Sequence, residues 1–173
     1  IEKFIHHFQM TCKQLKYSNN LVISAPSGLA LGGGFEVLVQ SDYVVAHTNI
    51  VTGLVETLVG LIPAGGGTTN MLWRWMQTQE AKKDPDFAPQ KVFDIIGYGK
   101  TASSPIEAIP FKFLLDKDKS IMNRNKLLSA SQDLINEKKD GYKPPKQPTF
   151  KLSGGQVRDK MFQTLENLFK EKK

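Results

Sequence analysis

Apolar residues recur at helical spacing in the opening segment, where Ile1, Phe4, Ile5, Phe8, Cys12 and Leu15 fall on one face and predict an amphipathic helix. The stripe starts at the first residue, with no cap or turn ahead of it, and reads as a domain entered partway along. Residues 17–20 (YSNN) are turn-forming. The apolar run 21–25 (LVISA) predicts a short buried strand, broken by Pro26, Ser27 and Gly28. Beyond three consecutive glycines, residues 35–40 predict a short apolar helix, and residues 43–46 and 50–53 two more strands. Strand, short helix and strand at this density predict an α/β fold.

Farther on, a second glycine turn at residues 64–67 leads into a helix carrying Met71, Leu72, Trp75 and Met76. Residues 77–89 are polar, contain Lys82, Lys83, Asp84 and two prolines, and read as a loop or lid. A helix at 91–97 uses Val92, Phe93, Ile95 and Ile96. Ser104 and Glu107 form a capping box with Pro105 at the first helical position. Asn125 is the expected cap of a longer helix using Leu127, Leu128, Leu134 and Ile135, which stops at Gly141 before Pro144 and Pro145. Residues 143–155 read as a linker, and Val157, Met161, Leu165, Leu168 and Phe169 mark a last amphipathic helix. The chain thus divides into residues 1–76, a partial core; 77–142, a lid and helical region; and 143–173, a linker and basic helix.

Composition narrows the function class. The 173 residues are 40% hydrophobic and 23% charged, ordinary for a soluble domain. Their apolar runs fall far short of the ~20 residues that cross a bilayer, and the start lacks a signal-peptide pattern. The expectation is a cytoplasmic protein without a membrane. Cys12, the single cysteine, excludes an internal disulfide and a multi-cysteine zinc site, and its place on the helical stripe predicts a buried, inert thiol. His6 and His7 are neighbours on a helix and His47 stands alone, so no metal is expected. The net charge of +6 sits almost wholly in residues 137–173, which hold ten Lys/Arg against five Asp/Glu. Such a tail either attracts polyanions or is a solvated helix face; no zinc-finger or RNA-binding spacing supports nucleic acid.

The stretch GLALGGGFE, residues 28–36, is the most informative. It contains no Gly-x-Gly-x-x-Gly, no Lys-Ser/Thr pair follows, and Gly-x-Ser-x-Gly is absent, which excludes the dinucleotide, P-loop and hydrolase-elbow fingerprints. What remains is an oxyanion hole: a helix start offers unpaired N–H groups, and glycine lets a carbonyl approach them. Glu36 lies three residues past Gly33, in the first turn. Glu56 lies inside the apolar run 50–62, as a buried acid tuned for proton transfer would. On the residues alone, a helix cap and a catalytic pair both remain open.

Residues 26–67 follow the pattern Gly-x-Ala-Leu-Gly-Gly-Gly-x-Glu, then Asp, Gly-x-x-Glu and Gly-x-x-Pro-x-x-Gly-Gly, in order and without gaps. In this the chain resembles the crotonase superfamily, in particular enoyl-CoA hydratases. KTASSPIEA at 100–108, KDKSIMNRNKLL at 117–128 and the Gly-Tyr-x-Pro-Pro stretch at 141–145 are similar to the hydratase part of large bacterial 3-hydroxyacyl-CoA dehydrogenases. The resemblance implies an α/β fold with a ββα spiral core, a C-terminal helical region and the N-terminal repeats missing. It implies Gly33 as one of two oxyanion donors to a thioester carbonyl, Glu36 as the acid that deprotonates water, and Glu56 as the acid that protonates the α-carbon. The other donor and much of the CoA surface belong to a segment that precedes residue 1 in the family. An acyl-CoA is the implied substrate and no cofactor is tightly bound, NAD serving only a dehydrogenase half outside this chain. A homo-oligomer and a chain carrying the missing N-terminal part are the implied partners.

Two departures from the family pattern stand out. Pro110 would cost ~3 kcal/mol or more inside the helix begun at Ser104. Lys112 takes the place of a helix-ending glycine. They support a second expectation: a non-catalytic fragment or remnant without a complete oxyanion hole.

Overall fold

The computed structural model describes residues 1–150 and 154–171. The first helix, α1, spans Glu2–Lys16 on the expected stripe, but the stripe sinks only along its second half. Phe4 stays 76% exposed, whereas Cys12 is buried. Strand β1 (Ile23–Ser24) is shorter than its apolar run, and a strand the pattern did not predict, β2 (Leu29–Leu31), follows Gly28. Then come α2 (Gly33–Leu38), β3 (Tyr43–His47) and β4 (Val51–Gly53).

The chain winds as a spiral. β1 pairs with β3 and β2 with β4, each in parallel, and α2, which follows β2 in the chain, packs against it. Two short strands complete the sheets: β5 (Thr101–Ala102) runs antiparallel to β4, and β6 (Lys119–Ile121) parallel to β3. The sheet orders are β1-β3-β6 and β2-β4-β5. Val44, Val45 and Ala46 are all buried, as a parallel strand covered on both faces requires. This is the α/β spiral implied by the resemblance.

Helices α3 (Gly67–Met76), α4 (Gln79–Lys83) and α5 (Phe87–Gly97) pack on one another, and α3 and α5 share the core with Ala30 of β2 and Ala102 of β5. The polar stretch 77–89 is therefore not a loop throughout. α4 is capped by Thr78, whose hydroxyl accepts from Ala81 N–H, and α5 already begins at Phe87. Pro89 lies in its first turn, where no backbone donor is needed. The main core joins Phe35, Leu38, Ile50, Leu54, Met71, Trp75, Ile95 and Phe113, with Phe35 and Phe113 edge-on at 5.1 Å between ring centres.

Ser104 Oγ accepts from Glu107 N–H at 3.2 Å, and Glu107 reaches back to the N–H and hydroxyl of Ser103. The helix it starts, α6 (Pro105–Ala108), ends before Pro110, so that proline breaks nothing. Lys112 adopts φ 59°, the left-handed conformation expected of a glycine there. Asn123, rather than Asn125, caps the 3₁₀ turn Arg124–Lys126 that leads into α7 (Leu127–Lys138). α7 packs Leu127 and Leu134 on Val45, while Leu128 is 77% exposed instead of joining the core. The last helix, α8 (Gly155–Glu171), buries Val157; the side chains of its stripe residues Leu168 and Phe169 lie outside the described residues. Among the described residues no helix is long and apolar enough to cross a membrane.

Candidate functional site

The first glycine run caps α2. Gly32 has φ 53°, donates to Gly53 O at 2.9 Å and accepts from Glu36 N–H at 2.9 Å. Its conformation continues the β2–β4 ladder and turns the chain into the helix in a single residue. As the first helical residue, Gly33 has an N–H without an intrahelical acceptor, and no hydrogen bond engages it among the described residues. Gly33 and Gly34 are exposed. That amide is free to meet a ligand oxygen.

Glu36 is turned into the protein and is 2% exposed. Its Oε1 accepts from the N–H groups of Gly65 and Gly67, both at 2.8 Å. The second glycine run is thus a strap that grips a carboxylate, a role the glycine spacing alone did not disclose. Gln40 braces it by donating to Glu36 O at 2.8 Å and to Gly65 O at 3.3 Å. Asn70 donates to Gly66 O and to Gln40 Oε1. A Cβ on Gly67 would stand 2.8 Å from Leu54 Cδ2 and 3.0 Å from Glu36 Oε1; one on Gly65 would overlap the Phe8 ring. Phe8 also lies against Gly33, 3.6 Å from where a Cβ would be. Its ring therefore bridges the free amide and the strap, which the helical stripe alone could not reveal.

Glu56 opens the 3₁₀ turn Glu56–Val59, closed by Gly60 in the left-handed region at φ 75°. Its carboxyl faces Gly32, with Oε1 3.4 Å from a Cβ placed there. Both oxygens are buried without a hydrogen-bond partner among the described residues. Burial lifts its pKa above the usual carboxylate range and Glu36 adds to the rise, which the nearby N–H groups of Glu56 and Val55 only partly oppose. Glu56 thus stands beside Gly32 and within electrostatic reach of Glu36, the one acid without a donor and the other held by two amides. A carboxyl whose protonated form burial favours can donate a proton; one with a fixed oxygen and a second left over can orient water.

The other candidates take quieter places. Cys12 is buried, and burial followed by the field of Glu36 pushes its thiol pKa up, away from nucleophilic use. His47 hydrogen-bonds Met122 O through Nε2 at 2.9 Å and pairs with the Asn49 side chain.

Comparison with known proteins places this geometry in context. Residues 2–84 match the family model described as enoyl-CoA hydratase/isomerase. The chain is 33% identical over 155 residues to a Bacillus subtilis protein named "Probable 3-hydroxyacyl-CoA dehydrogenase", a match covering 89% of this chain and 19% of that protein. It is 49% identical over 49 residues to human mitochondrial methylglutaconyl-CoA hydratase, covering 28% of this chain and 14% of that one. A solved enoyl-CoA hydratase from Bacillus anthracis superposes with a TM-score of 0.60 at 22% identity, over 77% of this chain and 45% of that one, a likeness of fold. The chain therefore spans less than a fifth of these two relatives and under half of that structure.

Proposed function

The chain belongs to the enoyl-CoA hydratase/isomerase family, of crotonase fold, and from that premise we propose that it is the hydratase part of a fatty-acid β-oxidation enzyme, adding water to a trans-2-enoyl-CoA thioester. The observation that carries this reading is the unpartnered Glu56 carboxyl against Gly32, next in the chain to the free Gly33 amide and close enough to Glu36 to feel its charge. In the proposed reaction the thioester carbonyl accepts from Gly33 N–H, which draws electrons from the conjugated double bond. Water held on Glu36 loses a proton to that carboxylate as its oxygen bonds the β-carbon. The double-bond electrons pass to the α-carbon, which takes a proton from Glu56. Proton exchange between the two carboxyls and solvent restores the starting state.

One oxyanion donor is typically worth ~2.7–4 kcal/mol of barrier, and in the family a second donor precedes the residues present here. The readout is crotonyl-CoA hydration by these residues together with the segment that supplies the second donor. Glu36→Gln and Glu56→Gln should each lower kcat by about 10²–10⁴. Equal hydration by the wild type and both variants would overturn the assignment.

A second reading has its own support. The outer side of the site is uncovered, with Gly33 exposed and Leu58, Val59, Leu61 and Ile62 displayed to solvent just past Glu56. A site open to water loses much of its electrostatic advantage. On this reading the chain is a non-catalytic module, and the absence of hydration even after complementation would decide in its favour.

A further inference from the structure

A hollow of about 630 Å³ opens between α1, the turn after α2, the first turn of α3 and the extended stretch at 145–148. Gly65 and Gly66 form part of its wall, but Gly33, Glu36 and Glu56 do not line it. The lining is cationic: Lys13, Lys16, Arg74, Lys117 and Lys146 face it, against one acid, Asp42. That acid is already engaged, its Oδ2 accepting from Val22 N–H and from the Tyr142 hydroxyl, both at 2.9 Å. None of the five cations has a carboxylate partner within 4.0 Å among the described residues; the ion pairs formed involve Lys119, Lys138, Arg158 and Lys160.

Two of these cations are fixed rather than loose. Lys16 Nζ donates to Val39 O at 3.3 Å, and Arg74 Nη1 donates to the carbonyls of Lys112 and Phe113, both at 2.8 Å. Neutral carbonyls hold the heads in place without cancelling their charge. Lys117 lies over the Tyr43 ring at 4.8 Å. Burial, followed by the charges of Arg74 and Lys117, pushes the Lys16 pKa down to about 8, with Asp42 opposing. Burial likewise pushes Arg74 down to about 10, with Asp118 opposing. Asp118 is itself occupied by the N–H groups of Val44 and Leu115. Positive groups desolvated together and repelling one another are the electrostatics a bound anion relieves.

The hollow falls within the 300–1,000 Å³ range of small-molecule sites and exceeds what one phosphate fills. We propose that it binds the diphosphate group of a small phosphorylated ligand, with Lys16, Arg74 and Lys117 carrying the charge recognition. Such a group arises in a free diphosphate or a nucleotide, a ligand separate from the thioester substrate. The inference does not depend on the hydratase reading, since its readout is binding rather than turnover.

The test is calorimetric titration of the full chain with inorganic diphosphate in chloride buffer. Saturable one-to-one binding is expected, weakened by at least about tenfold in Lys16→Gln/Lys117→Gln, because two charged contacts are lost. Lys16→Arg should retain the affinity, which separates lost charge from lost folding, and Lys82→Gln/Lys83→Gln on α4 should leave it unchanged. Glu56→Gln, outside the hollow, should not alter it either, so failure of the hydratase assignment and failure of this one are seen separately. Simultaneous binding of diphosphate and coenzyme A is expected; displacement of diphosphate by coenzyme A would make the hollow the thioester substrate's own subsite and overturn the proposal of a separate ligand. No saturable binding by the wild type, or equal binding by the Lys16→Gln/Lys117→Gln variant, would overturn the proposal.

Discussion

Two glycine runs of almost identical sequence do opposite work. Residues 32–34 turn outward: Gly33 and Gly34 are exposed, a Cβ on Gly34 would meet nothing within 4 Å, and the Gly33 amide is left free. Residues 65–67 turn inward, where a Cβ would strike Phe8, Leu54 or Glu36, and two of their amides are spent on one carboxylate. Each run is matched with one acid, Glu56 beside the first and Glu36 inside the second. A run of glycines therefore marks close approach without saying whether the approaching group is a ligand or the chain's own side chain. Which it is depends on whether an internal acceptor faces the amides.

Removing that acceptor gives the largest expected effect. Glu36→Ala orphans two buried N–H groups, each costing about 1–3 kcal/mol, so urea unfolding should show a loss of about 2–5 kcal/mol. Glu56→Ala removes no hydrogen bond and should cost no more than about 1 kcal/mol. Equal losses would erase the distinction between the two acids. Next in size, Gly67→Ala forces a methyl against Leu54 and Glu36 and should cost about 1–3 kcal/mol by overpacking, read as a lower unfolding midpoint at unchanged slope.

How much of this was legible depended on how local each cause is. The α1 stripe, β3 and the capping box at Ser104 are written in neighbouring residues, and they appear where expected. β2, β5 and β6 have two or three residues each and exist because of partners far along the chain, such as Leu31 beside Gly53 and Val45 beside Lys119. No periodicity can show in so few positions. The polar residues and two prolines of 77–89 mask the start of α5 at Phe87, yet a first-turn proline breaks nothing. The grip of Gly65 and Gly67 on Glu36 spans about thirty residues and could have been suspected only from two close-approach glycines near a carboxylate lacking an evident partner.

The outward run allows a gain rather than a loss. Gly34 lies inside α2 with open space where a methyl would go. Gly34→Ala should therefore stabilise the chain by about 0.5–1 kcal/mol through helix propensity and reduced freedom in the unfolded state, while the same change at Gly67 destabilises. Opposite signs at two positions of matching sequence sharpen the comparison; a loss at both would break it.

The smallest effect is the one that isolates Glu56. Its folded pKa stands above the unfolded value, so its stabilising contribution is fully present below the ordinary carboxylate range. That contribution is lost as pH rises through the raised folded pKa, when the unpartnered carboxyl must ionise. Solvent near this partly buried residue moderates the loss. Melting temperatures of wild type and Glu56→Gln, followed from pH 4 to pH 8 in steps of about half a unit, should start close together and separate in favour of the variant as pH increases. A Glu36→Gln chain, whose amides from Gly65 and Gly67 keep an oxygen to bind, serves as the reference for losing an acid without losing an acceptor. If the Glu56→Gln advantage is instead constant across the range, the Glu56 carboxyl has found a donor in the folded chain, and the contrast between a held acid and an unheld one disappears.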